Sequence, residues 1–200
     1  MFCRELSKHP LRRRWLANKI EDMWKDRRIM KFAELSKIIF NELPQRLNQH
    51  MGLSVFAKER AKFEGWLKVE VCDILSKHNL PNVVPEKHRV DVMCDGWAIE
   101  LKTVNTNYRY PNVINKHRPI TINVQGVIDD IEQLRNSSKL SGIKKAVLFI
   151  VFPVSHIRSD WQKHLKKIID CLGNEIEHHL FEFNNGVHGV IYFGHINEEI

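Results

Sequence analysis

Apolar residues recur at helical spacing through much of the first 80 positions. Trp15, Leu16, Ile20, Met23 and Trp24 form one such stripe, and Phe32, Leu35, Ile38, Ile39 and Leu43 form a second. The pattern predicts helices across residues 11–49, with "MGLS" at 51–54 as a break. A further helix is predicted over 55–79, burying Phe63, Trp66, Leu67, Val71, Ile74 and Leu75 and ending before Pro81. Beyond it the period changes from helical to alternating. Strands are predicted at 82–85, 88–94 and 97–103, then a long polar segment at 104–123 and a helix at 124–139. The apolar run "AVLFIVFPV" at 146–154 reads as a buried central strand within 145–152, being too short to cross a bilayer. "RSDWQKHLKKIIDCLG" is an amphipathic helix stopped by Gly173. Strands at 179–184 and 187–194 around "NNG" close the chain. This order predicts an α/β (α+β) domain, a mixed central β-sheet flanked by helices, with residues 1–52 as an N-terminal helical extension.

The hairpin "RVDVMCDGWAIELKT" carries the candidate chemistry. Asp95-Gly96 is a two-residue turn signal, which sets Cys94 opposite Trp97, Met93 opposite Ala98, Val92 opposite Ile99 and Asp91 opposite Glu100. Alternation places Val90, Val92, Trp97, Ile99 and Leu101 on one face and Asp91, Glu100 and Lys102 on the other. Directly opposed Cβ atoms stand about 5 Å apart, so Asp91 and Glu100 repel unless a cation joins them. Oxygen ligands at that separation suit Mg²⁺. The Lys102 ammonium, two residues on, reaches a metal-bound water or a phosphate. Metal, water and ammonium are what phosphodiester hydrolysis needs. A polar-faced surface hairpin has the same alternation.

Charge narrows the partner. The chain has 200 residues, a formal net charge of +7 and a pI near 9.3, a balance that favours polyanions, nucleic acid first. Cys3, Cys72, Cys94 and Cys171 form no CxxC pair, which argues against a zinc site or disulfide framework and for a reducing cytoplasm. His178 and His179 are adjacent, so a strand would point them to opposite faces. The N-terminus has no apolar core of a secretory signal, and no membrane span is predicted.

At the hairpin the sequence resembles the PD-(D/E)XK nuclease superfamily, the restriction-endonuclease-like fold. "VDV" with Asp91 and "AIELKT" with Glu100-Leu101-Lys102 carry the likeness, together with the preceding helix "KFEGWLKVEVCDIL". The proline that often precedes the family's aspartate is replaced by Val90. The likeness spans about residues 57–152, within a nuclease-like domain taken as 53–200. It implies that Asp91, Glu100 and the Leu101 carbonyl bind Mg²⁺, with Mn²⁺ as a substitute. It implies that Lys102 positions or activates the attacking water. It implies a helix carboxylate that holds a second metal or orients a water; Glu64 fits best and Glu70 is its rival.

The segment after Lys102, "TVNTNYRYPNVINKHRPITINVQ", interleaves basic and aromatic residues. Asn105, Asn107, Tyr108, Arg109, Lys116 and Arg118 are expected to contact nucleic acid from a substrate-binding loop. The resemblance further implies a helical glutamine near the metal, for which Gln125 is the candidate and Gln133 the alternative. Further basic clusters lie in "LRRRW" and "RSDWQKHLKK". The combined expectation is a metal-dependent endonuclease of DNA, a restriction, defence or repair enzyme, with a homodimer implied by analogy. RNA processing, a non-catalytic nucleic-acid-binding module on the same fold, and a small-molecule hydrolase or interaction domain are the competing readings.

Overall fold

The structure, a computed structural model, describes residues 29–114 and 119–197. The stripe at 15–24, the cluster "LRRRW", Cys3, Lys116 and Arg118 lie outside the described residues. The chain divides into a short unit, Met1–Met30, and a main unit, Lys31–Ile200. The main unit therefore begins well before residue 53.

It opens with three helices, α1 (Phe32–Gln49), α2 (Met51–Glu59) and α3 (Glu64–Lys77). Strands β1 (Val84–Lys87), β2 (Val90–Cys94) and β3 (Trp97–Asn105) follow, then α4 (Ile120–Asn136), β4 (Lys144–Phe152), α5 (Ser159–Leu172), β5 (Glu177–Glu182) and β6 (His188–His195). A single 3-10 turn, Ser138–Leu140, links α4 to β4. The six strands form one mixed sheet in the order β1-β2-β3-β4-β6-β5. Only β3 and β4 pair in parallel, and α4 is their crossover; every other pair is antiparallel.

Helices cover both faces. On one side α1 packs against β5 and α3, and α3 packs against β1, β2 and β3. On the other, α4 lies on β3 and β4 with α5 beside it. There Ala98, Val104, Val127, Ile131, Val147 and Phe149 bury one continuous core. Trp161 of α5 ties into it by donating its indole N–H to Tyr192 Oη of β6 at 2.6 Å. In β4 every residue after Lys144 is buried, as expected of a central strand covered on both faces. Gly173 ends α5 in the left-handed conformation, φ 71°. His178 and His179 take opposite faces, one stacked on His156 and the other on Phe40 of α1.

Three local expectations are corrected. "MGLS" is helical, and the break is the single residue His50, extended at φ −82°, ψ 99°. The helix predicted over 55–79 is two helices. Arg60 ends α2 in the left-handed region, φ 53°, and Ala61 N–H caps back to the Phe56 carbonyl. No glycine or proline marks that break; a tertiary contact of the Arg60 guanidinium, described below, makes it. Val90 does not join the face of Val92 but the core beneath α4, with Ala98 and Leu134.

Close packing between β5 and β6 has a measurable consequence. A Cβ added at Gly189 would lie 2.4 Å from Phe181 Cζ and 3.2 Å from the Val151 carbonyl oxygen. Gly189→Ala should therefore destabilise the protein by about 1–3 kcal/mol in denaturant melts, the usual cost of overpacking. An unchanged midpoint would show that this strand pair yields freely.

Candidate functional site

The predicted turn forms as written. Asp95 and Gly96 both have positive φ, 42° and 79°, as a two-residue hairpin of matching twist demands. The register is also as expected, Cys94 with Trp97, Met93 with Ala98 and Val92 with Ile99. The β2–β3 ladder ends at that last pair. Past it, side chains take over from backbone partners. Leu101 N–H donates to Asp91 Oδ2 at 2.9 Å. Thr103 N–H, two residues on and pointing the same way, donates to Glu64 Oε1 at 3.1 Å. The sheet thus forks at Asp91, and two carboxylates satisfy the freed backbone donors, which could not be left unpaired in a buried strand.

The α2–α3 break places Glu64 in this fork. It puts Glu64 in the first turn of α3, where the helix dipole favours a carboxylate. Had the helix continued from 55, residue 64 would lie mid-helix. Glu70 is elsewhere, bound with Asp73 to Arg46 at 2.6 Å each.

Glu100 and Lys102 point to the α4 side, flanked along β3 by Ala98 and Val104 of that core. Burial pushes the Glu100 carboxyl up to about 8, and the charges of Asp91 and Asp130 add to the shift. This is the repulsion anticipated from the register, with Asp130 of α4 as a third acid. Lys102 Nζ stands 2.6 Å from Asp130 Oδ2. Burial alone would lower the lysine pKa, but Asp130, with Glu64 and Glu100, outweighs it and raises it. Burial raises Asp130 against the opposing pull of Lys102. Lys68, one turn after Glu64 on α3, completes the charge set with its Nζ 2.6 Å from Asp91 Oδ1. The side chain of Leu101 is buried, so only its backbone can serve the site.

Asp130 and Lys68 escaped the sequence reading. Asp130 lies within the apolar positions Val124, Val127, Ile131 and Leu134 of α4, and Lys68 is i+4 to Glu64. Both are charged residues at the margin of a buried helix face, a visible signal that needs a register to be interpreted.

The remaining candidates separate. Asn105 is fully buried; its side-chain N–H donates to the Arg60 backbone carbonyl at 2.6 Å, and its backbone carbonyl accepts from the Asn123 side chain at 2.8 Å. It holds the loop root and cannot touch a polyanion in this conformation. Asn107 and Arg109 are exposed. Tyr108 is half-buried beneath the Arg158 guanidinium, 4.0 Å from the ring centre, so that ring face is already covered. Gln125 is exposed and bonds Asp129 at 2.9 Å. Its alternative, Gln133, lines a small cavity with Glu100 and Asp130. A clamp shapes the loop itself: Arg60 donates from Nε to the Ile114 carbonyl at 3.0 Å, and from its terminal nitrogens to the carbonyls of Thr106 and of Tyr108.

The donor set fits a hard divalent cation in part. Asp91 and Glu100 supply oxygens beside each other, Glu64 takes the Thr103 N–H on the same strand, and the charges of Asp91 and Asp130 add to the burial that raises Glu100. Among the described residues, no three His, Cys, Asp or Glu side chains converge as a ready-made cage. A cation here would hold few protein ligands and keep several waters, as Mg²⁺ does. Among the described residues no helix is long and apolar enough to cross a membrane. Comparison with family models, with curated proteins and with solved structures gives no match to this chain.

Glu100 gives this site a pH signature. Folding raises its pKa from the ordinary 4.5 to about 8, so the folded state holds the proton more tightly than the unfolded chain. Its contribution to stability is complete below about pH 4.5 and is lost as pH rises through about 8. In EDTA, the wild-type melting temperature should fall relative to that of Glu100→Gln as pH rises across this window. Mn²⁺ at the alkaline end should restore the wild type and not the variant. Parallel pH profiles for the two proteins would remove the carboxylate cluster as the source.

Proposed function

We propose that this protein is a metal-dependent nuclease of the restriction-endonuclease-like kind, hydrolysing phosphodiester bonds of DNA. The observation that carries the reading is the fork at Asp91. There Asp91 takes the Leu101 N–H and Glu64 the Thr103 N–H of β3, Glu100 stands beside Asp91, and Lys102 lies two residues beyond Glu100. A divalent cation bound there supplies charge neutralisation and a water acidified toward neutrality. The chain's own groups do the rest. Asp91 and Glu100 place carboxyl oxygens beside each other, and Glu64 braces the β3 backbone through Thr103. Lys102 offers an ammonium where the transition state gathers negative charge. Asp130 keeps that ammonium charged and aimed. The net positive charge and the exposed Arg109 suit a polyanionic substrate.

The test is incubation of the full chain with supercoiled plasmid in Mg²⁺, Mn²⁺ or EDTA, beside Lys102→Ala. Metal-dependent nicking that the variant loses supports the reading. Equal cleavage by both proteins, or none by the wild type on duplex DNA, single strands or RNA, rejects it.

A further inference from the structure

Two clefts meet beside the carboxylates. The inner one is small, about 20 Å³, and is lined by Glu100, Asp130, Gln133, His88 and Arg89. The outer one, about 510 Å³, shares His88, Arg89, Gln133 and Ser137 with it and extends to Lys139. No carboxylate lines this outer cleft. The path from Glu100 outward therefore passes from acid to base within a few side chains.

His88 and Arg89 sit at the tip of the β1–β2 hairpin, between the paired residues Lys87 and Val90. Both are left-handed, φ 58° and 65°. A two-residue turn of this type favours Asn-Gly or Asp-Gly, because other side chains crowd the backbone there. This chain meets that demand at its next turn with Asp95-Gly96. At residues 88–89 it places a histidine and an arginine in the same conformation instead. Turn geometry does not select them, so their side chains are the feature to explain. Both are exposed and border the same cleft as Lys139 and the amide of Gln133.

We propose that this cleft, with Arg89 and Lys139 as its cations and His88 and Gln133 as hydrogen-bonding groups, is a subsite for a backbone phosphate of a polynucleotide. It would seat a phosphodiester near the one at the carboxylates, fixing the strand's path across the site. The subsite rests on the proposed nuclease reading for its biological meaning, but its binding is measured separately from cleavage. The shared chemistry is the phosphodiester backbone, and DNA and RNA are distinguished by the probes.

The full chain is titrated, in EDTA so that no metal-dependent cleavage occurs, into fluorescein-labelled duplex DNA, single-stranded DNA and duplex RNA across a salt series. The variants are Arg89→Ala with Lys139→Ala, the turn variant His88→Asn with Arg89→Gly, and Lys163→Ala on the exposed face of α5 as a control. The paired alanine variant should lose about tenfold or more in affinity, and its slope of log K against log salt should flatten by about 2, one unit per phosphate contact. The turn variant should also bind more weakly while its melting temperature rises by about 2–4 °C, because its residues suit the turn. A purely structural turn would give higher stability with unchanged binding, and that result overturns the proposal. So does a salt slope in the paired alanine variant equal to that of the wild type and of Lys163→Ala. Failure of the subsite with plasmid nicking intact leaves the nuclease standing. Wild-type protein that binds none of the three probes overturns the subsite whatever the plasmid shows.

Discussion

On the proposed nuclease reading, Lys102→Ala should lower metal-dependent nicking by about 10²–10⁴-fold while the melting temperature changes little. That range is what a positioned proton-transfer or charge-stabilising group contributes at a phosphoryl centre. The stability side follows from the ion pair. Removing Lys102 leaves Asp130 partly buried without its partner at 2.6 Å. Burial already raises the Asp130 pKa, so this carboxyl can take up a proton and limit the loss. Lys102→Arg keeps the charge, but its planar fork cannot place a single ammonium in the same space, and recovers only part of the rate. The check is nicking under single-turnover conditions together with thermal melts. A variant that retains wild-type rates removes Lys102 from the chemistry; one that unfolds makes it a structural lysine.

Arg60→Met should destabilise the protein by about 3 kcal/mol or more, because three backbone acceptors lose their donor together. Arg60 is fully buried, yet its guanidinium donates to the backbone carbonyls of Thr106, Tyr108 and Ile114. Methionine fills similar volume and removes every donor. Each abandoned buried acceptor costs about 1–3 kcal/mol unless water reaches it. Burial lowers the Arg60 pKa, so the charged guanidinium sits in the interior against a desolvation cost. Lysine cannot satisfy three carbonyls in that fork and should recover less than half of the loss. Hydrogen exchange should quicken first across residues 105–114, because Asn105 also hangs on the Arg60 carbonyl. Unaltered exchange there, or a melting temperature within about 2 °C of wild type, would falsify the clamp.

Both predictions turn on residues whose roles differ in legibility. Lys102 stands in a short motif, and strand alternation alone puts it on the face of Glu100. Arg60 sits within an uninterrupted helical pattern, and nothing local distinguishes it from any solvated arginine. Its partners lie 46 to 54 residues away in sequence. That separation is why the helix break at Arg60, and with it the place of Glu64 at a helix N-terminus, had to come from the folded chain. Asn105 makes the converse point. Composition placed it with a polar loop, but β3 runs on through it, and its amide is consumed inside the protein.

The sequence by itself determined the β2–β3 register from Val92 to Ile99, since Asp95-Gly96 permits a tight turn and period-two alternation sets which side chains share a face there, though not at Val90. It determined the central place of β4, because only a strand covered on both sides can bury so continuous an apolar run. It set Asp91 and Glu100 on neighbouring strands, but the ladder ends at Val92 and Ile99, so the direct opposition expected of them does not form. Only the tertiary structure decided the sheet fork, the arrival of Glu64 and Lys68 from α3, and the capture of Lys102 by Asp130 of α4. These are meetings between elements, set by how helices pack across a twisted sheet, and no periodicity within one segment encodes them.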